Sequence, residues 1–409
     1  MLNHQGETRS EAMHPISTTH ARPRFVILVS HPIQHFCPMY RQIAADGRVE
    51  LLVIFVEEGA AARFDTDFNR VVKWQDNILE GYPHVVLAAP KAERAKAVLS
   101  ELKRFGPDAV YLHGYHQPYL TEAMGWAHKS GIGVLMTTDS ELRCPRPAHV
   151  RLAKKLLLPP RFRKVDLFLT VGDENENYFH HYGVNRERFL RVPFPIDSEF
   201  YDQVLTRRAE VRRAVRERLG IADDEVMVLN VGKLVPHKGQ GYMIDAFAQA
   251  LKACKSKATL VIAGEGSERT NLEAKIRALG ASVRLLGFIG VEQLPDYYIA
   301  SDLYAHPSGY DPHPLAVSEA IYCGVPLIAS DRIGSTGPTD DLQVGKNGWV
   351  FPFGDVTAMA ALLTKLIDDP NLREKAGQIS ASIGPIHASD RIARLFIEGA
   401  FRVMKKDRA

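Results

Sequence analysis

Two doubly wound α/β halves, each a parallel sheet covered by helices and facing the other across a cleft, are what this 409-residue sequence predicts. Three observations carry the prediction. Short apolar, β-branched runs alternate with longer stretches of helical periodicity. The series breaks off near residue 195 and begins again beyond it. The chain is also longer than one ordinary core fills.

Taken in order, the leader 1–22 is polar, lacks the apolar run of a secretory signal, and is expected to be disordered. The N-terminal Rossmann-like half, 23–195, opens with the strand FVILV, followed by VELLVIFV, HVVLAA, DAVYLH, GVLMTT and DLFLTV. Helical patterns such as KAERAKAVLSELKRF lie between them, which argues for a parallel sheet covered on both faces. RVPFPIDSEFY (191–201) carries two prolines without periodicity and reads as a linker. The C-terminal Rossmann-like half, 196–385, begins with the charged helix RRAEVRRAVRERLG and continues with EVMVLNV, ATLVIAG, SVRLLG, DLYAHP and VPLIAS. A last helical stretch within 386–409, SDRIARLFIEGAFRVMKKD, follows the second series and is expected to pack back on the N-terminal half.

Composition narrows the function classes. A net charge of +3 gives no electrostatic reason for nucleic-acid binding. No apolar run reaches the roughly 18–20 residues that cross a bilayer. The scattered cysteines Cys37, Cys144, Cys254 and Cys323 form no CxxC pair and fit a reducing cytoplasm.

In doubly wound sheets ligands bind beyond the carboxyl ends of the strands, so the loops there carry the chemistry. After the first strand comes SHPIQHF. Its His31 and His35 lie four apart, but Pro38 keeps them off one continuous helix, so the stretch reads as a cleft-facing loop and metal ligation is the poorer reading. After EVMVLNV comes GKLVPHKGQG, where Gly232 permits a tight turn and Lys233 and Lys238 form either an anion cradle or a solvated basic loop. Gly264 and Gly266 follow the next strand. They serve a phosphate or simply a tight turn. In SGYDPHPLAVSEAIYCG, Pro314 fits the first helical position, leaving the amides of Leu315 and Ala316 at a helix N-terminus suited to a diphosphate. Glu319 falls on the otherwise apolar second turn and needs a partner, either sugar hydroxyls or a nearby lysine or arginine.

The ordered set GKLVPHKG, IAGEGSERTNLE, LLGFIGVEQLPDYYIASDLYAHPS, DPHPLAVSEAIYCGVPLIASD and GKNGWVFPFGD, over 231–355, resembles the nucleotide-binding half of the retaining glycosyltransferases of group 1 (family 4-like), which have the two-Rossmann GT-B architecture. PDAVYLHG and SHPIQHFCPMYRQIA extend the resemblance into the first half. The resemblance implies that Lys233 and Lys238 neutralise a donor diphosphate, although arginine is usual at the first position and lysine lacks its bidentate fork. It implies that Glu319 holds the ribose hydroxyls and that Asp311, where the family usually has glutamate, faces the donor sugar. Phe288 and Ile289 are similar to the segment flanking the nucleobase, and His113 to a first-domain histidine that reaches the donor sugar. Gly232, Gly264, Pro314, Leu315 and Ala316 complete the donor site, with Pro314 replacing a common glycine. His31, Gln34 and His35 fill a loop that is small or glycine-rich in relatives, and are expected to hydrogen-bond the acceptor or the donor phosphates.

The implied activity is metal-independent transfer, with retention, of a sugar from a UDP- or GDP-sugar co-substrate to a glycan or lipid-linked acceptor, in cell-surface polysaccharide or glycolipid synthesis. No other cofactor is called for. A metal-dependent site would want a DxD motif after a strand. Asp65-Thr66-Asp67 has those letters but lies in an irregular region and reads as surface acidity. A nucleotide-sugar epimerase and a non-catalytic sugar-nucleotide-binding protein are the alternatives. Lastly, 143–166 combines eight arginines and lysines with Leu152, Leu156, Leu157 and Leu158. Two readings stand: a basic amphipathic face for peripheral contact with the inner face of the membrane, or a core-packing helix with a solvated basic side.

Overall fold

The computed structural model describes residues 22–57, the backbone of 62–65 and 70–73, and residues 78–143 and 146–404. The leader through residue 21, Cys144, Thr66 and Asp67 lie outside them. Among the described residues, nine strands precede the domain junction: β1 (Arg24–Val29), β2 (Glu50–Phe55), β3 (Ala62–Asp65), β4 (Arg70–Lys73), β5 (His84–Val86), β6 (Ala109–His113), β7 (Gly133–Thr137), β8 (Leu167–Thr170) and β9 (Phe189–Arg191). Six follow it: β10 (Val226–Val231), β11 (Ala258–Ala263), β12 (Val283–Gly287), β13 (Leu303–His306), β14 (Leu327–Ser330) and β15 (Gly348–Phe351).

The first sheet has the order β5-β2-β1-β6-β7-β8-β9 and the second β12-β11-β10-β13-β14-β15, with every pairing in both parallel. The hairpin β3–β4 stands apart. Strands β1 and β10 are buried along almost their whole length, as continuous apolar runs between two helical layers must be. Each is also the point where strand order reverses: β1 lies between β2 and β6, and β10 between β11 and β13. The loops leaving β1, β6, β10 and β13 therefore open onto the two crevices in which this architecture places ligands.

The edge strands β9 and β15 were not read as strands from the sequence. They are three and four residues long, and β9 is only half buried, so neither shows a full apolar run. The expected linker 191–201 is shorter than its sequence suggests. Arg191 ends β9, and Ser198–Leu205 is a helix whose N-cap, Asp197, accepts a hydrogen bond from the Phe200 amide at 3.4 Å. A capping aspartate overrides the proline signal just ahead of it.

The helix Ser389–Met404 returns to the first domain and buries Ile392, Phe396, Ile397, Ala400 and Val403 among residues of β1, β2 and the Cys37–Asp46 helix. The approach is close: a Cβ on Gly133 would lie 2.4 Å from a Val403 side-chain carbon. The chain thus crosses between domains twice, side by side, where the Ile196 amide donates to the His387 carbonyl at 2.8 Å.

Candidate functional site

On the C-terminal side, the loop leaving β10 carries Gly232 and Lys233 into a 3-10 turn, Pro236–Lys238, closed by Gly239 at φ +77°. The Lys238 ammonium donates to Asp311 Oδ2 at 2.5 Å, and His306 Nε2 lies 3.0 Å from the same oxygen. His306 is in turn backed by the Tyr304 hydroxyl, 3.2 Å from Nδ1. Burial would raise the Asp311 pKa, but the hydrogen bond and charge of His306, with Lys238, outweigh it and hold the carboxyl at about 2. Asp311 is thus a fixed anion between two nitrogen donors. Lys233 is half-buried on the same loop.

Gly264 serves packing in the first place. A Cβ there would stand 1.9 Å from the Gly232 carbonyl oxygen, because the ends of β10 and β11 touch. Phe288 and Ile289 leave β12 directly after Gly287, whose φ is +80°, and both are half-buried.

Helix Leu315–Tyr322 starts one residue later than expected. Pro314 is its N-cap, with extended ψ of 116°, and not its first helical residue. The proline ring fixes φ without a helical ψ, so the carbonyl of Pro314 can still accept from the Val317 amide at 3.0 Å. The Leu315 and Ala316 amides open the helix in either case. Glu319 accepts from the Tyr298 hydroxyl at 2.8 Å and is also hydrogen-bonded by Tyr201, so its partners are hydroxyls and not the lysine or arginine weighed from the sequence. Burial pushes its carboxyl up to about 7, against the pull of those two tyrosines.

On the N-terminal side, the SHPIQHF stretch is a loop only to Ile33. Gln34–Phe36 forms a 3-10 turn that runs straight into the helix Cys37–Asp46. His31 Nδ1 lies 2.8 Å from the Ser30 hydroxyl. His35 is wedged against the rings of Phe36 and Phe194, and its Nε2 is buried without a hydrogen-bond partner. His113, at the end of β6, meets the Tyr111 hydroxyl at 3.2 Å and the edge of Phe36. Burial lowers His35 to about 3 and His113 to about 4, and neighbouring imidazoles add to both shifts. These rings are neutral at physiological pH.

The structure joins part of the predicted set in one cavity of about 460 Å³, lined by His31, Gln34, His35, Tyr201, Leu315 and Glu319 among others. Lys238 and Asp311 do not line it. Asp311 lies near enough to Asp139, a carboxylate of the N-terminal domain just past β7, for their charges to act on each other. The backbone flanking Asp139 is clamped, since Asn175 Nδ2 donates to the carbonyls of Thr138 and Ser140 at 2.8 Å each. Arg143 ties the same loop across the cleft, donating to the Ile333 carbonyl at 2.8 Å and the Thr336 carbonyl at 3.2 Å.

Sequence reasoning missed His306, Asp139, Tyr201 and Tyr298. The first two sit at or just past the ends of β13 and β7, a position that alone could have marked them. The tyrosines reach Glu319 from separate elements, with no local signal. Among the described residues, the one cluster of three with metal-type ligand atoms is His313, Asp340 and Asp341. It lies outside the cavity, and Asp341 there is held by His387 at 2.7 Å and Ser318 at 2.6 Å.

Two parallel doubly wound domains facing across a cleft, with cations and a helix N-terminus on one side, define the GT-B architecture. Residues 211–382 match the family model for glycosyl transferases group 1. Alpha-D-kanosaminyltransferase of Streptomyces kanamyceticus is 32% identical over 220 residues, 52% of this chain and 55% of that protein. The GDP-mannose-dependent monoacylated alpha-(1-6)-phosphatidylinositol monomannoside mannosyltransferase of Corynebacterium glutamicum is 31% identical over 175 residues, 41% of this chain and 45% of that one. The chain thus spans about half the length of the curated relatives it matches. The similarity of fold reaches further: Anabaena Alr3699/HepE, solved with UDP, superposes with a TM-score of 0.72 at 20% identity, covering 93% of this chain and all of that one.

Proposed function

We propose that the protein is a retaining glycosyltransferase that moves a sugar from a UDP- or GDP-sugar to a glycan or lipid-linked acceptor, without a metal, in cytoplasmic steps of cell-surface polysaccharide or glycolipid synthesis. The observation that carries this reading is the Lys238–Asp311–His306 constellation beside the N-terminus of the Glu319 helix. A departing nucleoside diphosphate gathers negative charge as the glycosidic bond breaks. Fixed cations and unpaired helix amides stabilise that charge without reorganising. Lys233, Lys238 and the Leu315 and Ala316 amides supply them. Glu319 accepts ribose hydroxyls in exchange for its tyrosine partners, and Asp311, kept ionised, accepts a hydroxyl of the donor sugar. Phe288 and Ile289 flank the base, while His113 donates to the sugar as a neutral imidazole.

Incubation with a panel of nucleotide sugars tests the reading. Slow release of nucleoside diphosphate without acceptor, with the freed sugar keeping its anomeric configuration, is expected. Epimerised donor would replace the transferase with an epimerase. Tight binding with neither outcome would leave a non-catalytic binding protein.

A further inference from the structure

We propose that the cavity lined by Glu319 is a guanosine pocket, in which Asp197 and Arg41 read the edge of the base and so make the donor a GDP-sugar. The proposal rests on the transferase reading above, in which Glu319 holds the ribose, and it adds the identity of the base. The cavity of about 460 Å³ that Glu319 and Leu315 line is also lined by Arg41 and Asp197. Val291, two residues beyond Ile289, carries the base-flanking loop into it, and Pro38 and Phe200 give apolar surface for the faces of a flat ring. One helix sets Asp197 relative to the ribose site. Asp197 caps Ser198–Leu205, and Tyr201, which hydrogen-bonds Glu319, follows four residues later on the same face, roughly 6 Å along the helix axis. A ribose and the hydrogen-bonding edge of its base are separated by a similar length. Among the described residues, only the Phe200 amide donates to the Asp197 side chain, to Oδ1 at 3.4 Å, which leaves Oδ2 for a ligand.

Hydrogen-bonding chemistry decides among the bases. Guanine presents two adjacent donors, N1–H and the N2 amine, to which one carboxylate is complementary. Beside them it presents the acceptors O6 and N7, which an arginine fork matches. Uracil offers a single donor, N3–H, between two carbonyl oxygens, so a carboxylate that takes this donor is repelled on both sides. Adenine and cytosine set a ring-nitrogen acceptor beside their amine, and the carboxylate then meets a lone pair. The cation is held for this task. Arg41 Nε donates to the Glu80 carbonyl at 3.0 Å, and its guanidinium lies near enough to Asp197 for their charges to act on each other. Burial raises the Asp197 carboxyl against the pull of the Phe200 amide and Arg41, so the ion gains from each donor that a ligand brings.

Calorimetry of the full chain with GDP and UDP tests it. GDP is expected to bind at least about a hundredfold more tightly than UDP. Asp197→Asn keeps a good helix cap, so its thermal melt should match that of the native protein. The new amide sets an NH2 group against the guanine amine and should weaken GDP binding by about 10–100-fold. The same amide complements xanthine, in which a carbonyl replaces that amine. The variant should therefore bind xanthosine diphosphate about tenfold more tightly than the native protein does, a gain that a purely structural aspartate cannot produce. UDP binding as tight as that of GDP overturns the proposal and leaves the transferase reading in place. A variant that loses GDP without gaining xanthosine diphosphate overturns it too, since Asp197 then acts only as a cap. Binding of neither GDP nor UDP removes the donor reading itself, and the guanosine pocket with it.

Discussion

The two surfaces that meet across the cleft are built on opposite electrostatic plans. On the C-terminal side Asp311 is locked between Lys238 and His306, and its carboxyl is held at about 2. On the N-terminal side His35 and His113 stand among aromatic rings and are held neutral, near 3 and 4. Both sides are largely buried, so burial alone does not explain the contrast. What differs is pairing. A buried ion is retained where opposite charge and hydrogen bonds compensate it, and is neutralised where they do not. One wall therefore offers fixed charge, and the other offers apolar packing and uncharged hydrogen bonds.

Four experiments press on that contrast, beginning with the largest effect. Lys238→Ala should lower donor turnover by ~10²–10³, while His113→Ala, which removes a neutral hydrogen bond, should cost roughly tenfold. Equal losses in single-turnover assays would erase the distinction between the walls. Second, Glu319→Ala should weaken nucleotide-sugar binding by about 10–100-fold in calorimetry. Glu319 also has a signature in stability. Its folded pKa is raised to about 7, so the unfolded chain loses its proton first and the folded state is penalised as pH rises from about 4.5 to 7. Glu319→Gln should therefore gain ~2–3 kcal/mol over the native protein in urea melts at pH 8, and little at pH 4.5. A gain independent of pH would mean that Glu319 ionises freely.

Third, His35 has its folded pKa depressed, so its contribution is complete above pH 6.5 and is lost as pH falls toward 3. Urea melts should show His35→Leu removing about 2 kcal/mol of the native protein's loss of stability between pH 7.5 and pH 5. An unchanged slope would show that the ring protonates in the folded state. The smallest effect belongs to His31→Ala, expected to change acceptor kcat/KM by ~5–10-fold with the melting temperature intact. Zinc chelation should leave the native protein as it was. Chelator-sensitive activity would return His31 and His35 to the metal reading.

The C-terminal wall was the more legible of the two because its residues lie in local order: the loop after β10, and Asp311 to Glu319 on one strand-end and helix. The N-terminal wall was legible only as positions. That SHPIQHF leaves the first strand at the cleft followed from the alternation of elements. That His35 turns into an aromatic nest did not, because Phe194 arrives from the domain junction 159 residues later. The basic helix is the clearest case of a question posed by sequence and answered by packing. Its composition fits both a buried and an exposed stripe of leucines, and only the placement of Leu158 and Phe162 shows which face turned inward.

By itself, then, the sequence determined what depends on near neighbours: two series of buried parallel strands, the lysine loop, and the helix beside Pro314, with its start placed one residue early. The hydrophobic effect and turn chemistry act over a few residues, and such patterns carry them. Tertiary structure alone decided the partners of charge. Tyr298 and Tyr201 came to Glu319, His306 joined Lys238 on Asp311, and Asp139 was set near Asp311. Protonation depends on dielectric and on atoms within a few ångströms, and those atoms come from segments that the linear order keeps far apart.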